Sequence, residues 1–174
     1  NRLDRDTSGL VIIAKNQFSH QALAKCLDAG TVEKTYYAVV HGFFAEEEGT
    51  IDLPIDRPTR ESIRREVIES GQRAVTHYRT VERLGEDSLV ELKLETGRTH
   101  QIRVHMSYLN HPIYGDTLYG ETDDREFIGR QALHARRLRF KHPRTAEVID
   151  IKAEVPEDMK LLMRKLRKES GQMI

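Results

Sequence analysis

A chain of 174 residues is long enough to bury one hydrophobic core and suits a single domain, and its 28 basic and 28 acidic residues cancel, so no overall charge draws it to a polyanion. Any attraction to nucleic acid must come from local patches, for which the run Arg136 to Arg144 and the arginines Arg57, Arg60, Arg64 and Arg65 are the candidates. The lone Cys26 excludes an internal disulfide and no apolar run approaches membrane-spanning length, which predicts a soluble, cytoplasmic protein.

Taken in chain order, Asn1 to Gly9 reads as a loop, and the continuously apolar Leu10–Ala14 as a fully buried strand. Asn16 is placed to cap a helix carrying Phe18, Ala22, Leu23, Cys26 and Leu27 on one face and ending at Gly30, which makes Cys26 a core residue. Tyr36, Ala38 and Val40 alternate with Tyr37 and Val39 at strand spacing. Ile51 to Pro58 reads as an irregular connection and Ser70-Gly71-Gln72 as a turn. Ala74–Leu84 and Leu89–Leu94 form a predicted hairpin across Gly85-Glu86-Asp87-Ser88. Thr99 is then expected to cap a helix with Ile102, His105, Met106 and Leu109 on one face and Arg103 pointing away from it, stopped before Pro112. A second hairpin pairs Leu133–Phe140 with Glu147–Ala153, and Pro156 opens a terminal helix with Met159, Leu162, Met163 and Leu166 inward. Hairpins with a few helices indicate an α+β domain built on a mixed, mostly antiparallel sheet with flanking helices.

Two segments carry chemistry. Asn1-Arg2-Leu3-Asp4-Arg5-Asp6-Thr7-Ser8-Gly9 sets an acidic residue among turn formers, and Gly97-Arg98-Thr99-His100-Gln101-Ile102-Arg103-Val104-His105 places several hydrogen-bond donors beside a glycine. With Lys34-Thr35-Tyr36-Tyr37-Ala38-Val39-Val40-His41-Gly42, they closely resemble, in order and spacing, the motifs of the RluA-type pseudouridine synthases. Only the family's opening His departs, replaced here by Asn1 at a chain end where order is not expected. Further matches are His111-Pro112-Ile113, Gly115-Asp116, Leu133-His134-Ala135 and Phe140 with His142-Pro143, so the resemblance covers nearly the whole chain. It implies the pseudouridine synthase fold and an enzyme that isomerises uridine to pseudouridine in 23S-type ribosomal RNA or transfer RNA. Because the chain starts without Met and inside a motif, residues 1–174 are expected to be most of a catalytic domain whose first strands, and any accessory RNA-binding domain, are missing.

The resemblance also implies roles. Asp4 is the catalytic carboxylate, acting as nucleophile at the sugar or base, or as base at the sugar. Arg103 is the cation that keeps it ionised, through a fork geometry and a charge independent of pH. Tyr36 stacks on the target uracil, with Tyr37 on the opposite strand face. Arg2 helps extrude the nucleotide. Arg98, His100 and Gln101 are candidates for contacting phosphate or bracing the loop, a structural hydrogen bond being the plainer role for His100. Arg136 and Arg139 are candidates for RNA capture beside the cleft. His134 and His142 read as structural, and Asp6 as surface.

The isomerisation involves no redox change and no energy input, so no cofactor is expected. The histidines lack paired ligand spacing and no glycine-rich phosphate loop is present, so neither a metal nor a nucleotide cofactor is expected. Two other classes stand against this reading: a non-catalytic RNA-binding module that kept the fold, and a hydrolase using paired carboxylates, for which no second acidic residue stands in a comparable loop.

Overall fold

A computed structural model describes residues 1–120 and 123–171. Their elements run β1 (Ser8–Gly9), α1 (Gln17–Asp28), β2 (Glu33–Val40), β3 (Glu48–Asp52), β4 (Ile55–Asp56), β5 (Glu66–Val67), β6 (Val75–Leu84), β7 (Asp87–Leu94), α2 (Gln101–Tyr108), β8 (Leu133–Lys141), β9 (Val148–Lys152) and α3 (Glu157–Gly171). The main sheet has the order β1-β8-β2-β7-β6-β3, and β9 extends it from β8. Only β1 against β8 is parallel, so the sheet is mixed and mostly antiparallel, as its hairpin-rich sequence implies. Strands β4 and β5 form a separate small ribbon. No helix among the described residues is long and apolar enough to cross a membrane.

Register divides the sheet into two unlike faces. Tyr36, Leu92 and Tyr78 stand opposite one another, as do Ala38 and Val90, and this face shares one apolar cluster with Ile102 and Met106 of α2. On the other face Thr35, Lys93 and His77 align, then Tyr37, Glu91 and Arg79, which is a largely polar surface. A bulge between Thr80 and Glu82 turns Glu82 onto that second face, where it pairs with Arg167 of α3 at 2.6 Å. Met159, Leu162, Met163 and Leu166 of α3 are buried as their helical spacing predicts.

Several expectations need correction. Leu10–Ala14 is not a strand: Leu10 N–H still donates to Ala135 C=O, but Val11 and Ile13 are 47% and 81% exposed. The edge of β8 beyond Ala135 is already occupied by β9 from Arg137 onward, so this segment has no ladder to join. Phe18 is exposed, Cys26 is only half-buried, and Leu23 is the buried residue of α1. The Asn16 cap is present, its side chain accepting from Ser19 N–H at 2.8 Å. The irregular stretch from Ile51 contracts, because Ile51 and Asp52 finish β3 and Ile55 begins β4. The β6–β7 turn is tighter than expected, since Leu84 already pairs with Asp87. Thr99 does not cap α2; His100 does, in the left-handed region at φ 59° and without a side-chain cap. Helix α2 is buried at every position from Gln101 to Met106, so Arg103, off its apolar stripe, also faces protein.

Gly9 ends β1 at φ 116°, where a Cβ would lie 2.3 Å from Ala135 O, whereas Gly30 follows α1 at φ 69° with open space around it. Gly9→Ala is expected to destabilise the fold by about 3 kcal/mol and Gly30→Ala by about 1 kcal/mol, in urea unfolding with an unchanged m-value. Equal losses would mean that the close approach to β8 is not what requires glycine at position 9.

Candidate active site

The loop that carries Asp4 is fastened from the far side of the chain. Thr7 N–H closes a turn on Asp4 C=O at 3.1 Å, and Asp6 adopts φ 67° within it. The Gln131 amide donates to Arg5 C=O at 2.6 Å and to Thr7 Oγ1 at 3.2 Å, and Arg130 donates to Asp6 C=O at 3.2 Å. Ser8 Oγ is hydrogen-bonded to Nδ1 of the buried His134 at 2.9 Å, a structural role for that histidine. Asn1 is not loose: its Oδ1 accepts from Ile12 N–H at 2.9 Å, tying the loop's start to the segment beyond β1. These bonds fix the backbone on both sides of one carboxylate.

Asp4 opens into a cleft of about 470 Å³ whose walls include Arg2, Lys34, Tyr36, Arg98 and His100. Arg103 reaches it from α2, with Nη1 3.6 Å from Asp4 Oδ2. Its stronger attachment is to Asp116, which accepts from Nε at 2.7 Å and from Nη2 at 2.9 Å in a two-pronged pair. Asp116 also accepts from the backbone N–H groups of Leu118 and Tyr119, and the Tyr119 ring lies 5.1 Å from the Arg103 guanidinium carbon. Two of the three guanidinium nitrogens are thereby committed, and the third faces Asp4. Burial alone would raise the Asp116 pKa, but the Arg103 bonds and charge outweigh it and hold Asp116 below the ordinary carboxylate value. Burial likewise pulls against the Arg103 charge, and Asp116 reverses the effect. The match at Gly115-Asp116 was visible in the sequence, but no local pattern linked Asp116 to Arg103.

Tyr36 presents its ring to the cleft from β2, while Tyr37 lies on the polar face under Arg136. Burial first, and the Asp4 charge second, push the Tyr36 phenol up to about 12, so it keeps its proton at neutral pH. His100 is hydrogen-bonded through Nδ1 to the Tyr119 hydroxyl at 2.7 Å, and burial lowers its pKa, favouring neutral imidazole. Of the two roles expected for Gln101, its geometry is that of the loop brace rather than of an RNA contact: it is buried, with Oε1 accepting from Thr96 Oγ1 and Arg98 N–H and Nε2 donating to Val75 C=O and Thr76 Oγ1. Arg2 is exposed at the cleft mouth. Arg98 donates from Nε to Arg73 C=O and lines both the cleft and an adjoining groove shared with Arg57 and Arg65.

Arg136 and Arg139 do not flank the cleft. A register shift opposite Thr35/Tyr36 leaves Ala135, not Arg136, facing Tyr36, so Arg136 lies by Tyr37 and donates to Ala153 C=O. Arg139 stands opposite Glu33 on the polar face and pairs with it at 2.7 Å. Among the described residues no group of three or more His, Cys, Asp or Glu is arranged to hold a metal ion.

A family model described as RNA pseudouridylate synthase matches residues 1–108. Among curated relatives, the uncharacterized RNA pseudouridine synthase YjbO of Bacillus subtilis is 52% identical over 163 residues, covering 94% of this chain and 57% of the relative. Ribosomal large subunit pseudouridine synthase D of Xanthomonas campestris is 45% identical over 183 residues, covering 98% and 55%. The chain thus spans little more than half the length of these curated relatives. The solved structure of human RNA pseudouridylate synthase domain containing 1 superposes with a TM-score of 0.74 at 30% identity, covering 96% of this chain and 78% of that one. Human RNA pseudouridylate synthase domain containing 4, at 23% identity and a TM-score of 0.80 over 96% and 74%, shares the fold.

Asp116→Asn removes the carboxylate that neutralises a buried arginine and is expected to destabilise the chain by about 3 kcal/mol at neutral pH. Asp116 is depressed in the folded state, so its ionised form stabilises above the ordinary carboxylate pKa, and that contribution disappears as pH falls through the folded value. The difference between wild type and variant in urea unfolding should therefore narrow on acidification. A gap independent of pH would show that the Asp116 charge is not its source.

Proposed function

The chain belongs to the RNA pseudouridylate synthase family, and from that premise we propose that it isomerises uridine to pseudouridine in RNA, with Asp4 as the catalytic carboxylate. The observation that carries the proposal is the arrangement of Asp4: a carboxylate at a cleft wall, faced by the one guanidinium nitrogen that Asp116 leaves over, with the Tyr36 ring lining the same space. Large-subunit ribosomal RNA is the substrate class of first choice, because relatives such as that of Xanthomonas campestris are named for it, with transfer RNA second.

The reaction breaks the bond from C1′ to N1, turns the uracil, and joins C1′ to C5. N1 gains a proton and C5 loses one, so atoms and electrons balance without an external reagent. Arg103 sets its charge beside the Asp4 carboxylate, which attacks sugar or base, or takes a proton from the sugar. Tyr36 offers a flat wall on which the detached base rotates, and its protonated hydroxyl is a donor or a proton relay. Arg2 at the mouth fills the gap left by the extruded nucleotide. The guanidinium groups of Arg57, Arg65 and Arg98 have no carboxylate within 4 Å among the described residues and border one groove continuous with the cleft wall at Gly97–Thr99, which suits a phosphate track.

Bulk RNA carrying tritium at uridine C5 tests the reading directly. The wild type should release tritium, whereas Asp4→Asn should release none while still binding RNA. Binding with no release by the wild type would leave a non-catalytic module, and liberated free uracil would indicate a hydrolase. Tyr36→Phe should bind normally and lose turnover if the hydroxyl moves a proton; unchanged turnover would leave only the stacking surface.

Neutralising Arg57 and Arg65 together should flatten the slope of log affinity against log salt by about 0.7 for each phosphate no longer neutralised. The Arg136 and Arg139 pair should leave it unchanged. The opposite result would move the RNA path to the polar sheet face.

A further inference from the structure

Lys34 is a cation on the cleft wall for which neither fold nor chemistry has yet supplied a reason. It projects from β2 on the same face as Tyr36, two residues away and therefore about 7 Å along the strand. It is half-buried, and burial lowers its pKa, so keeping the ammonium charged there is costly. Among the described residues it has no hydrogen-bond acceptor and no carboxylate within 4 Å, although the chain contains 28 acidic residues. Of the carboxylates that line the same cleft, Glu95 is paired with His77 at 2.7 Å and Arg73 at 3.7 Å, Asp4 with Arg103 at 3.6 Å, and Asp28 lies beyond 4 Å of the ammonium. Opposite the ammonium is bare backbone, since a Cβ on Gly97 would come within 3.3 Å of Nζ.

A half-buried cation with no carboxylate within 4 Å among the described residues calls for a counter-charge, and a ligand is one source of it. We propose that Lys34 binds the phosphodiester of the target uridine, so that β2 grips one nucleotide at two points, phosphate on Lys34 and base on Tyr36. The inference rests on the pseudouridylation reading above and adds an anion subsite to it. A base against Tyr36 has its own 5′ phosphodiester one ribose away, and the phosphodiesters flanking the ribose are the only anionic groups the nucleotide brings into the cleft. A lysine suits it as a compact point charge on a flexible stem, with its ammonium beside the bare backbone of Gly97. Arg2 and Arg98 stand at exposed positions, so Lys34 is the cation that sets how deep the phosphate sits.

The test begins by mapping the uridine that the wild-type protein converts in bulk RNA and synthesising a short RNA around it. A second copy of that RNA carries an uncharged methylphosphonate at the target nucleotide. Lys34→Met should raise KM about tenfold with kcat changed less than about threefold, and should flatten the salt slope by about 0.7. Lys34→Arg should keep the slope of the wild type. The methylphosphonate should weaken wild-type binding to the same extent as Lys34→Met and cost that variant nothing further. If Lys34→Met lowers kcat with the slope intact, or if the two changes add, Lys34 acts on the base or sugar and the subsite is wrong. The methylphosphonate measurement needs only the wild type, so it decides the matter even if Lys34→Met does not fold. A wild type that yields no pseudouridine in any RNA would instead overturn the functional reading itself, and the subsite with it.

Discussion

Arg103 is 6% exposed, and a guanidinium taken that far out of water is tolerable only because Asp116 meets it with two parallel hydrogen bonds. Such a pair is a poor device for stability, since desolvating two ions costs about as much as their attraction returns. Its value here is direction. A guanidinium held by Nε and Nη2 cannot rotate, so Nη1 points at Asp4 and nowhere else. Asp116 in turn is aimed by the backbone N–H groups of Leu118 and Tyr119, and Tyr119 by His100 and Arg65 N–H. The order of Asp4 thus depends on a chain of interactions running from the loop after α2, through a buried helix, to a loop that begins the sequence.

That chain of interactions also explains why α2 is buried from Gln101 to Met106. An amphipathic surface helix would have left Arg103 in water, where pairing with a carboxylate has little effect and the guanidinium samples many directions. Burial on one side by the sheet and on the other by the residues around Asp116 and Tyr119 converts a flexible cation into a fixed charge of known aim. The same reasoning applies to Gln101, whose four hydrogen bonds pin the turn at Thr96–His100 against β6. Low local dielectric strengthens each of these bonds and makes each costly to lose.

The parts of this arrangement that were legible in the sequence are those set by local period. Tyr36 and Tyr37 fall on opposite faces because side chains alternate along a strand, and α3 buries the stripe that its spacing marks. Asp4 and Arg103 come together as their motifs imply, although the motifs alone say nothing of the 3.6 Å geometry. What escaped is non-local. Leu10–Ala14 has the composition of a buried strand, but its pairing edge belongs to β9. Arg136 would face Tyr36 in an uninterrupted register, since Arg137 faces Thr35; one extra residue in β8 puts Ala135 there and reverses the orientation of the arginine. No periodicity announces a bulge, and none announces that Asp116 will find Arg103 across a loop.

The bulge has a further consequence for a chain with no net charge. It adds Arg136 to the polar face, where Arg137 and Arg139 already stand and where carboxylates neutralise the arginines, Arg137 on Asp150, Arg139 on Glu33 and Arg79 on Glu91. An arginine already paired gains little from a phosphate, because one carboxylate bond must be exchanged for another bond of similar strength. An arginine without a carboxylate instead carries counter-ions or water, and a polyanion that displaces its own condensed cations on binding gains entropy for each phosphate so neutralised. Arg57, Arg65 and Arg98 are of this second kind and lie in the groove that shares the Gly97–Thr99 wall with the cleft. On the proposed reading, preference for the cleft side follows from where carboxylates are absent rather than from where arginines are most numerous, which a count of basic runs along the sequence does not register.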